Sequence, residues 1–271
     1  MKRLLSLVTV LCAALFVGSS AARADSPGAS DVGALHYYVS LGDSLAASEQ
    51  PNGDFGHGYA EQLFAKLNAN DPTLRLVKLG CSGETTHSMI FRNPCGYPHG
   101  SQLAEAISFL HAHRQFVRLV TIDIGADDVF LCILTGDQSC LDAGLVSLST
   151  NLATILSALR KAVGADVPIV GMNYYDPFLA FWFFSRAAAQ LSEQMVVQLN
   201  DVLGSVYGAA GDPVADVETA FSTTDGTLVG GIPLNVLRIC QWTWMCTSNP
   251  DVHPNTTGYG VIAQAFEDAL P

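Results

Sequence analysis

Apolar, β-branched runs bounded by turn residues recur along the chain at 36–41 (HYYVSL), 74–79 (LRLVKL), 118–124 (RLVTIDI), 167–173 (VPIVGMN) and, more weakly, 213–217 (PVADV). Between them, apolar positions return with helical spacing over 58–68, 101–113, 143–163, a long stretch near 184–207, and a last one at 257–269. Strands that alternate with helices in this way predict an α/β fold: a three-layer α/β/α sandwich around a mostly parallel five-stranded sheet. Ligands bind such sheets beyond the carboxyl ends of the strands. The first strand ends at Gly42-Asp43-Ser44. Glycine there permits a tight exit that a Cβ would block, and it leaves a serine at the edge where chemistry is usually sited. Taken alone, Gly-Asp-Ser reads more readily as an ordinary turn followed by a helix cap.

A serine hydroxyl is a poor nucleophile until a base takes its proton and donors hold the oxyanion that follows. Seven histidines are candidates for the base. His36 falls in the first strand, and His111 and His113 fall on a helix. His57, His87 and His99 fall in predicted loops with no evident orienting partner. His253 differs, because "NPDVHPNTTGYG" sets it in a loop just before the last helix, with Asp251 ahead of it and Pro254 stiffening the exit. Asn255 or Thr256 is placed to cap that helix.

These residues resemble the GDSL, or SGNH, hydrolases, and within them the secreted actinobacterial lipases and esterases. The resemblance runs through four blocks in order and spans nearly all of the chain beyond residue 24. Gly42-Asp43-Ser44-Leu45 is similar to the first block, with Ser44 at the nucleophile. "LGCSGETT" is similar to the second, with Gly83 at the glycine whose N–H donates to the oxyanion, and "IDIGADDV" to the third. "DVHPN" is similar to the last, with His253 at the base. No G-x-S-x-G elbow occurs, which separates the chain from the α/β-hydrolase fold. The resemblance implies a flavodoxin-like sheet, an oxyanion hole built on Ser44, Gly83 and the residue at 127, and ester hydrolysis through an acyl-enzyme without metal or organic cofactor.

Two positions depart from the family pattern. The third block usually reads Gly-x-Asn-Asp, its asparagine donating to the oxyanion, and here Asp127 takes that place. An ionised carboxylate has no donor and would repel the oxyanion, so Asp127 serves there only if protonated. Otherwise the backbone N–H groups of Ser44 and Gly83 act alone. The commoner triad spacing puts an aspartate three residues before the histidine, where this chain has Pro250, while Asp251 stands two before. Either Asp251 or a backbone carbonyl upstream of His253 orients the ring, and both stay open on the sequence.

Composition narrows the setting. Of 271 residues, 49% are hydrophobic and 14% charged, enough for a sizeable core in one domain. Lys2 and Arg3, the apolar run Leu4–Val17 and the small-residue stretch ending Ala22-Arg23-Ala24 predict a secretory signal peptide over 1–24. A flexible lead-in over 25–34 and a hydrolase domain over 35–271 then follow. Removing 1–24 deletes three cations and no acid, taking the formal charge from −12 to −15. That charge disfavours nucleic acid and anionic membranes as partners. Six cysteines remain in three close pairs, expected as Cys81–Cys95, Cys132–Cys140 and Cys240–Cys246 in an oxidising, extracellular setting. Their spacing fits no metal site.

Substrate cues lie in "YYDPFLAFWFF" (174–184) and "CQWTWMC" (240–246), which either line the cleft or pack as core. The expected partner is a small-molecule or lipid ester, met by a monomer without a stable membrane anchor, at a lipid–water interface. A carbohydrate O-deacetylase on the same fold, or a catalytically impaired secreted binding protein, are the alternative readings.

Overall fold

The computed structural model describes residues 35–271, so the expected signal peptide and the lead-in lie outside the described residues. Five strands form one sheet: β1 (His36–Gly42), β2 (Leu74–Lys78), β3 (Val117–Asp123), β4 (Ile169–Met172) and β5 (Val214–Ala215). Their spatial order is β2-β1-β3-β4-β5, and every neighbouring pair is parallel, not merely most of them. The chain steps from β1 outward to β2, then returns past β1 to β3 and continues the other way. Right-handed crossovers therefore put the helices before and after that reversal on opposite faces. On one face α1 (Tyr59–Asn70) packs against α9 (Thr256–Asp268). On the other, α3 (Gln102–Ala112), α4 (Ala126–Thr135), α5 (Gln138–Val163) and α6 (Arg186–Ala210) pack together.

The core lies on both sheet faces, with Tyr38, Val39, Val120, Ile122, Ile169 and Val170 fully buried in the strands. The 26-residue α5 buries Leu141, Leu148, Leu152, Ile155 and Leu159 along one stripe. It is the one described helix long and apolar enough to cross a bilayer, but here that stripe is covered by α3, α4, α6 and the short α2 (Thr86–Phe91).

The structure adds elements that periodicity did not reveal. These are α2, α4, a 3₁₀ helix (Pro177–Phe183), α7 (Val217–Ala220), a small hairpin of β6 (Leu228–Val229) and β7 (Ile232–Pro233), and α8 (Leu234–Trp242). Most are a few turns or less, too short for apolar spacing to repeat. The stretch near 184 belongs to the 3₁₀ helix and not to the long helix, because Asp176 caps Phe178 N–H (2.8 Å) and Ser185 starts α6 afresh by capping Ala188 N–H (3.2 Å). All three expected disulfides are formed, with Cα separations of 6.0, 5.3 and 4.9 Å.

Candidate active site

The chain reverses its direction of travel between β1 and β3, and a crevice opens at their carboxyl ends. The register sets Gly42 beside Asp123 there. A Cβ on Gly42 would come within 2.1 Å of the Asp123 carbonyl oxygen, and its φ of +140° is strained for other residues, so the strand must end on glycine. Gln102 holds both sides of that residue, accepting from Gly42 N–H (2.7 Å) and donating to its carbonyl (2.9 Å).

The loop beyond is fixed through its amides. Asp43 N–H donates to the Asp123 carbonyl (3.0 Å), Leu45 N–H to Asp43 Oδ1 (2.9 Å) and Ala46 N–H to Asp123 Oδ2 (3.1 Å). Among the described residues the Ser44 N–H has no partner. The two carboxyls that do this work are buried and hydrogen-bonded to each other, with Tyr174 O–H donating to Asp43 Oδ2 (2.8 Å) and Tyr59 O–H donating to Asp123. Burial, and the closeness of the second carboxyl, push Asp43 well above the usual carboxylate range. Burial pushes Asp123 up to about 7 although Asp43, Tyr59 and Ala46 donate to it. The pair thus shares a proton near neutral pH.

The second loop carries Gly83, which adopts φ +75° with open space around it, and whose N–H is also without a partner among the described residues. The Cys81–Cys95 bridge and the capping box of α2 fix the flanks, Thr85 Oγ1 accepting from Ser88 N–H (3.0 Å) and Ser88 Oγ from Thr85 N–H (2.9 Å). Asp128 ties α2 to α4 by accepting from Thr86 N–H (2.8 Å) and Thr86 O–H (2.6 Å). Its neighbour Asp127, in the same first turn of α4, lines the crevice instead and makes no hydrogen bond among the described residues. Burial first, then the nearby carboxyls of Asp43 and Asp128, push Asp127 up to about 7, against the opposing pull of His253.

His253 arrives from the loop before α9. Asp251 Oδ1 lies 2.6 Å from its Nδ1 and accepts its backbone N–H at 2.9 Å, so a carboxylate and not a carbonyl meets the ring. The loop is held by Trp244 N–H donating to the His253 carbonyl (3.1 Å), by Tyr175 O–H donating to the Val252 carbonyl (2.7 Å), and by Asn255, which caps α9. His253 Nε2 faces Glu49 Oε2 at 3.9 Å, beyond hydrogen-bond range.

Ser44, Gly83, Asp127 and His253 all line one cavity of about 440 Å³, although no hydrogen bond joins Ser44 to His253. Phe130 and Ile133 of α4, Phe178 of the 3₁₀ helix, and Val196 and Leu199 of α6 supply an apolar lining. The stretch 174–184 therefore divides. Phe178 lines the cavity, Leu179 and Ala180 are core, and Phe183 and Phe184 are 49% and 89% exposed. The tryptophans of 240–246 do not line the cavity: Trp242 packs edge-on against Phe221 (5.3 Å) and under Arg238, at the margin of the main core.

The expectation of partnerless loop histidines needs correction. His57 Nδ1 lies 2.8 Å from Asp54 and His99 Nδ1 2.7 Å from Glu105, both local surface pairs, while His87 sits in the first turn of α2. None lines the cavity. Sequence reasoning missed Glu49, Gln102, the Asp43–Asp123 pair and the α4 and α6 lining. Asp123 alone left a trace, as a charge closing an otherwise apolar strand. Among the described residues, no group of three or more His, Cys, Asp and Glu side chains converges as metal ligands do.

A family model for the GDSL-like lipase/acylhydrolase family matches residues 40–261. Among solved structures, the chain is similar to a lipase from a goat rumen metagenome, with a TM-score of 0.59, 16% identity, and coverage of 86% of this chain and 97% of that one. It is similar to Axe2, an acetylxylan esterase from Geobacillus stearothermophilus, with a TM-score of 0.59, 19% identity, and coverage of 88% and 95%. An extracellular lipase from Streptomyces rimosus also has a TM-score of 0.59, with 19% identity and coverage of 87% and 100%. At these identities the likeness is one of fold. No curated protein sequence matches the chain.

Proposed function

The chain belongs to the GDSL-like lipase/acylhydrolase family, and from that premise we propose an exported serine esterase acting on lipid-like acyl esters, with Ser44 as nucleophile, His253 as base and Asp251 as the carboxylate that orients it. Ser44 Oγ attacks the ester carbonyl while its proton passes to His253 Nε2. The carbonyl π pair moves onto oxygen, facing the N–H groups of Ser44 and Gly83. Collapse expels the alcohol, which takes the proton from His253. Water then repeats the sequence on the acyl-enzyme and frees the acid. Asp251, bonded to Nδ1, favours the tautomer that leaves Nε2 free to accept.

The observation that carries this reading is a coincidence of chemistry in one cavity: two backbone N–H groups without partners, a carboxylate-bound imidazole, a serine and an apolar wall. The wall of Phe130, Ile133, Phe178, Val196 and Leu199 favours an alkyl chain over an acetylated sugar. Exposed Leu131 and Leu134 on α4, with Phe183, Phe184 and Leu191 on the elements beside it, suit contact with a lipid–water interface. Three disulfides fit an oxidising, extracellular setting.

Hydrolysis of soluble esters of graded acyl length tests the proposal. Each methylene that enters the apolar wall is worth ~0.8 kcal/mol, about a fourfold rise in kcat/KM. We expect that rise to continue beyond acetyl, Ser44→Ala to abolish turnover, and a serine-directed phosphonate to label the wild type alone. A maximum at acetyl would favour the deacetylase, and an unlabelled, inactive wild type the binding protein.

A further inference from the structure

The loops that carry Ser44 and Gly83 are joined behind the cavity by one buried side-chain pair. Gln102, the first residue of α3, accepts from Gly42 N–H (2.7 Å). Its amide nitrogen uses both hydrogens, donating to the Gly42 carbonyl (2.9 Å) and to Glu84 Oε2 (3.0 Å). Glu84 follows Gly83 directly, and its other oxygen accepts from Ser88 O–H. Both Glu84 and Gln102 are fully buried. Among the described residues no cation pairs with Glu84. A carboxyl withdrawn from water without a counter-charge is costly, and no step assigned to Ser44, His253 or Asp251 uses it.

What this carboxyl holds is a turn. Residues 81–84 close a β-turn through Glu84 N–H donating to the Cys81 carbonyl (3.1 Å), with Gly83 in third place at φ +75°. The commoner form of such a turn differs by a flip of its central peptide, which swings the N–H of the third residue through roughly half a circle. Here that N–H belongs to Gly83 and has no partner among the described residues. The turn also begins at the clamp, because Cys81 N–H donates to the same Gly42 carbonyl that Gln102 holds (3.1 Å).

Resting on the serine-hydrolase reading above, we propose that Glu84 and Gln102 are positioning residues that keep this turn in its glycine form and fix the Gly83 N–H relative to the Ser44 N–H, so that both meet one oxyanion. Neither touches substrate. One amide group grips Gly42, two residues before Ser44, and Glu84, one residue after Gly83, so a single side chain sets the spacing of the two donors. Without Glu84 the end of the turn loses its anchor and the central peptide can flip. The ester then still meets the apolar wall, while its oxyanion loses a donor. Because that hydrogen bond is made only in the transition state, the loss falls on kcat and not on KM. The role is one of geometry and not of charge: a glutamine at 84 keeps an acceptor for Gln102 and a donor for Ser88 Oγ.

The experiment is kcat and KM for a soluble short-chain ester, with thermal unfolding recorded alongside, for wild type, Glu84→Gln, Glu84→Ala, Gln102→Ala and the double alanine variant. Each single alanine variant should lower kcat by about tenfold to a hundredfold, less than outright deletion of a donor, and leave KM unchanged. Glu84→Gln should stay within about threefold of wild type, since it keeps both hydrogen bonds. The double variant should be no more than about threefold slower than the slower single one, because the two side chains act as one unit. If the alanine variants do not fold, Ser88→Ala, which removes one holder of Glu84 and leaves its bond to Gln102, carries the test beside Glu84→Gln, with kcat expected about threefold to tenfold down at unchanged KM. Unchanged kcat, a loss carried by KM, losses that multiply in the double variant, or Glu84→Gln as slow as Glu84→Ala each overturn the proposal. Ser44→Ala separates the premises: turnover that survives it sinks the serine reading, while its loss together with unchanged kcat in the Glu84 and Gln102 variants sinks this inference alone.

Discussion

Replacing Asp123 by asparagine should weaken the fall in stability across the neutral range. Asp123 is fully buried, and its proton is held up to about 7 against an ordinary 3.8. Because the folded value is the higher one, this group's favourable contribution is complete below about pH 4 and is lost as pH rises through about 7. Integrating that difference between pH 5 and pH 8 gives a loss of about 2–3 kcal/mol. For a domain of this size the loss corresponds to about 5–10 °C in Tm. Asparagine never ionises, yet keeps one oxygen for Ala46 N–H or Tyr59 O–H, so its cost is one neutral hydrogen bond, ~0.5–1.5 kcal/mol. Asp123→Asn should thus melt slightly below wild type at pH 5 and above it at pH 8, the two Tm curves crossing between. Asp123→Ala, which leaves Ala46 N–H without its acceptor (3.1 Å), should melt below Asp123→Asn at both pH values by ~1–3 kcal/mol, its curve running parallel to that of the asparagine variant. Parallel Tm curves for wild type and Asp123→Asn from pH 5 to 8 would refute the shared buried proton.

Asp251→Asn should keep the fold while lowering kcat by a factor on the order of 10³–10⁴, because an amide favours the wrong ring tautomer; a loss below tenfold would mean that the 2.6 Å contact does not govern the base. Phe178→Trp should shorten the preferred acyl chain by filling the apolar wall, and Phe178→Ala should lengthen it; an unchanged chain-length maximum in both would place the acyl group elsewhere.

The sheet and its large helices were legible because their apolar spacing repeats over enough turns to be seen. Strand bounds and helix ends move by only a few residues between pattern and structure. The cysteine pairs were legible from proximity in sequence. Ser44 and His253 stand out at predicted element ends, Gly83 and Asp127 could be picked out only through the resemblance of their blocks to a family, and all four line one cavity. What the pattern could not yield depends on register and crossover. That Asp43 meets Asp123 follows from Gly42 pairing with Asp123 across two strands separated by 74 residues of other structure, α3 included. That Gln102 clamps Gly42 depends on how α3 lies over the sheet end. That Asp127 faces the cavity while Asp128 binds α2 depends on the entry angle of α4, which Gly125 sets with φ +125°.

The acidic character of the cavity follows from how the loop after β1 is held. Its backbone N–H groups from Gly42 to Glu49, that of Ser44 excepted, find partners, since an unpaired amide in the interior costs about as much as a lost hydrogen bond. Gly42, Asp43, Leu45 and Ala46 are satisfied by Gln102, by the Asp123 carbonyl and by the Asp43 and Asp123 side chains. Carboxyls suit that work because one group can accept several donors, but two of them buried side by side cannot both ionise cheaply. Their shared proton is the consequence, and burial together with the nearness of Asp43 and Asp128 raises Asp127 as well. The rigidity that leaves the Ser44 N–H without a partner among the described residues is therefore what couples the stability of this fold to the acidic side of neutrality.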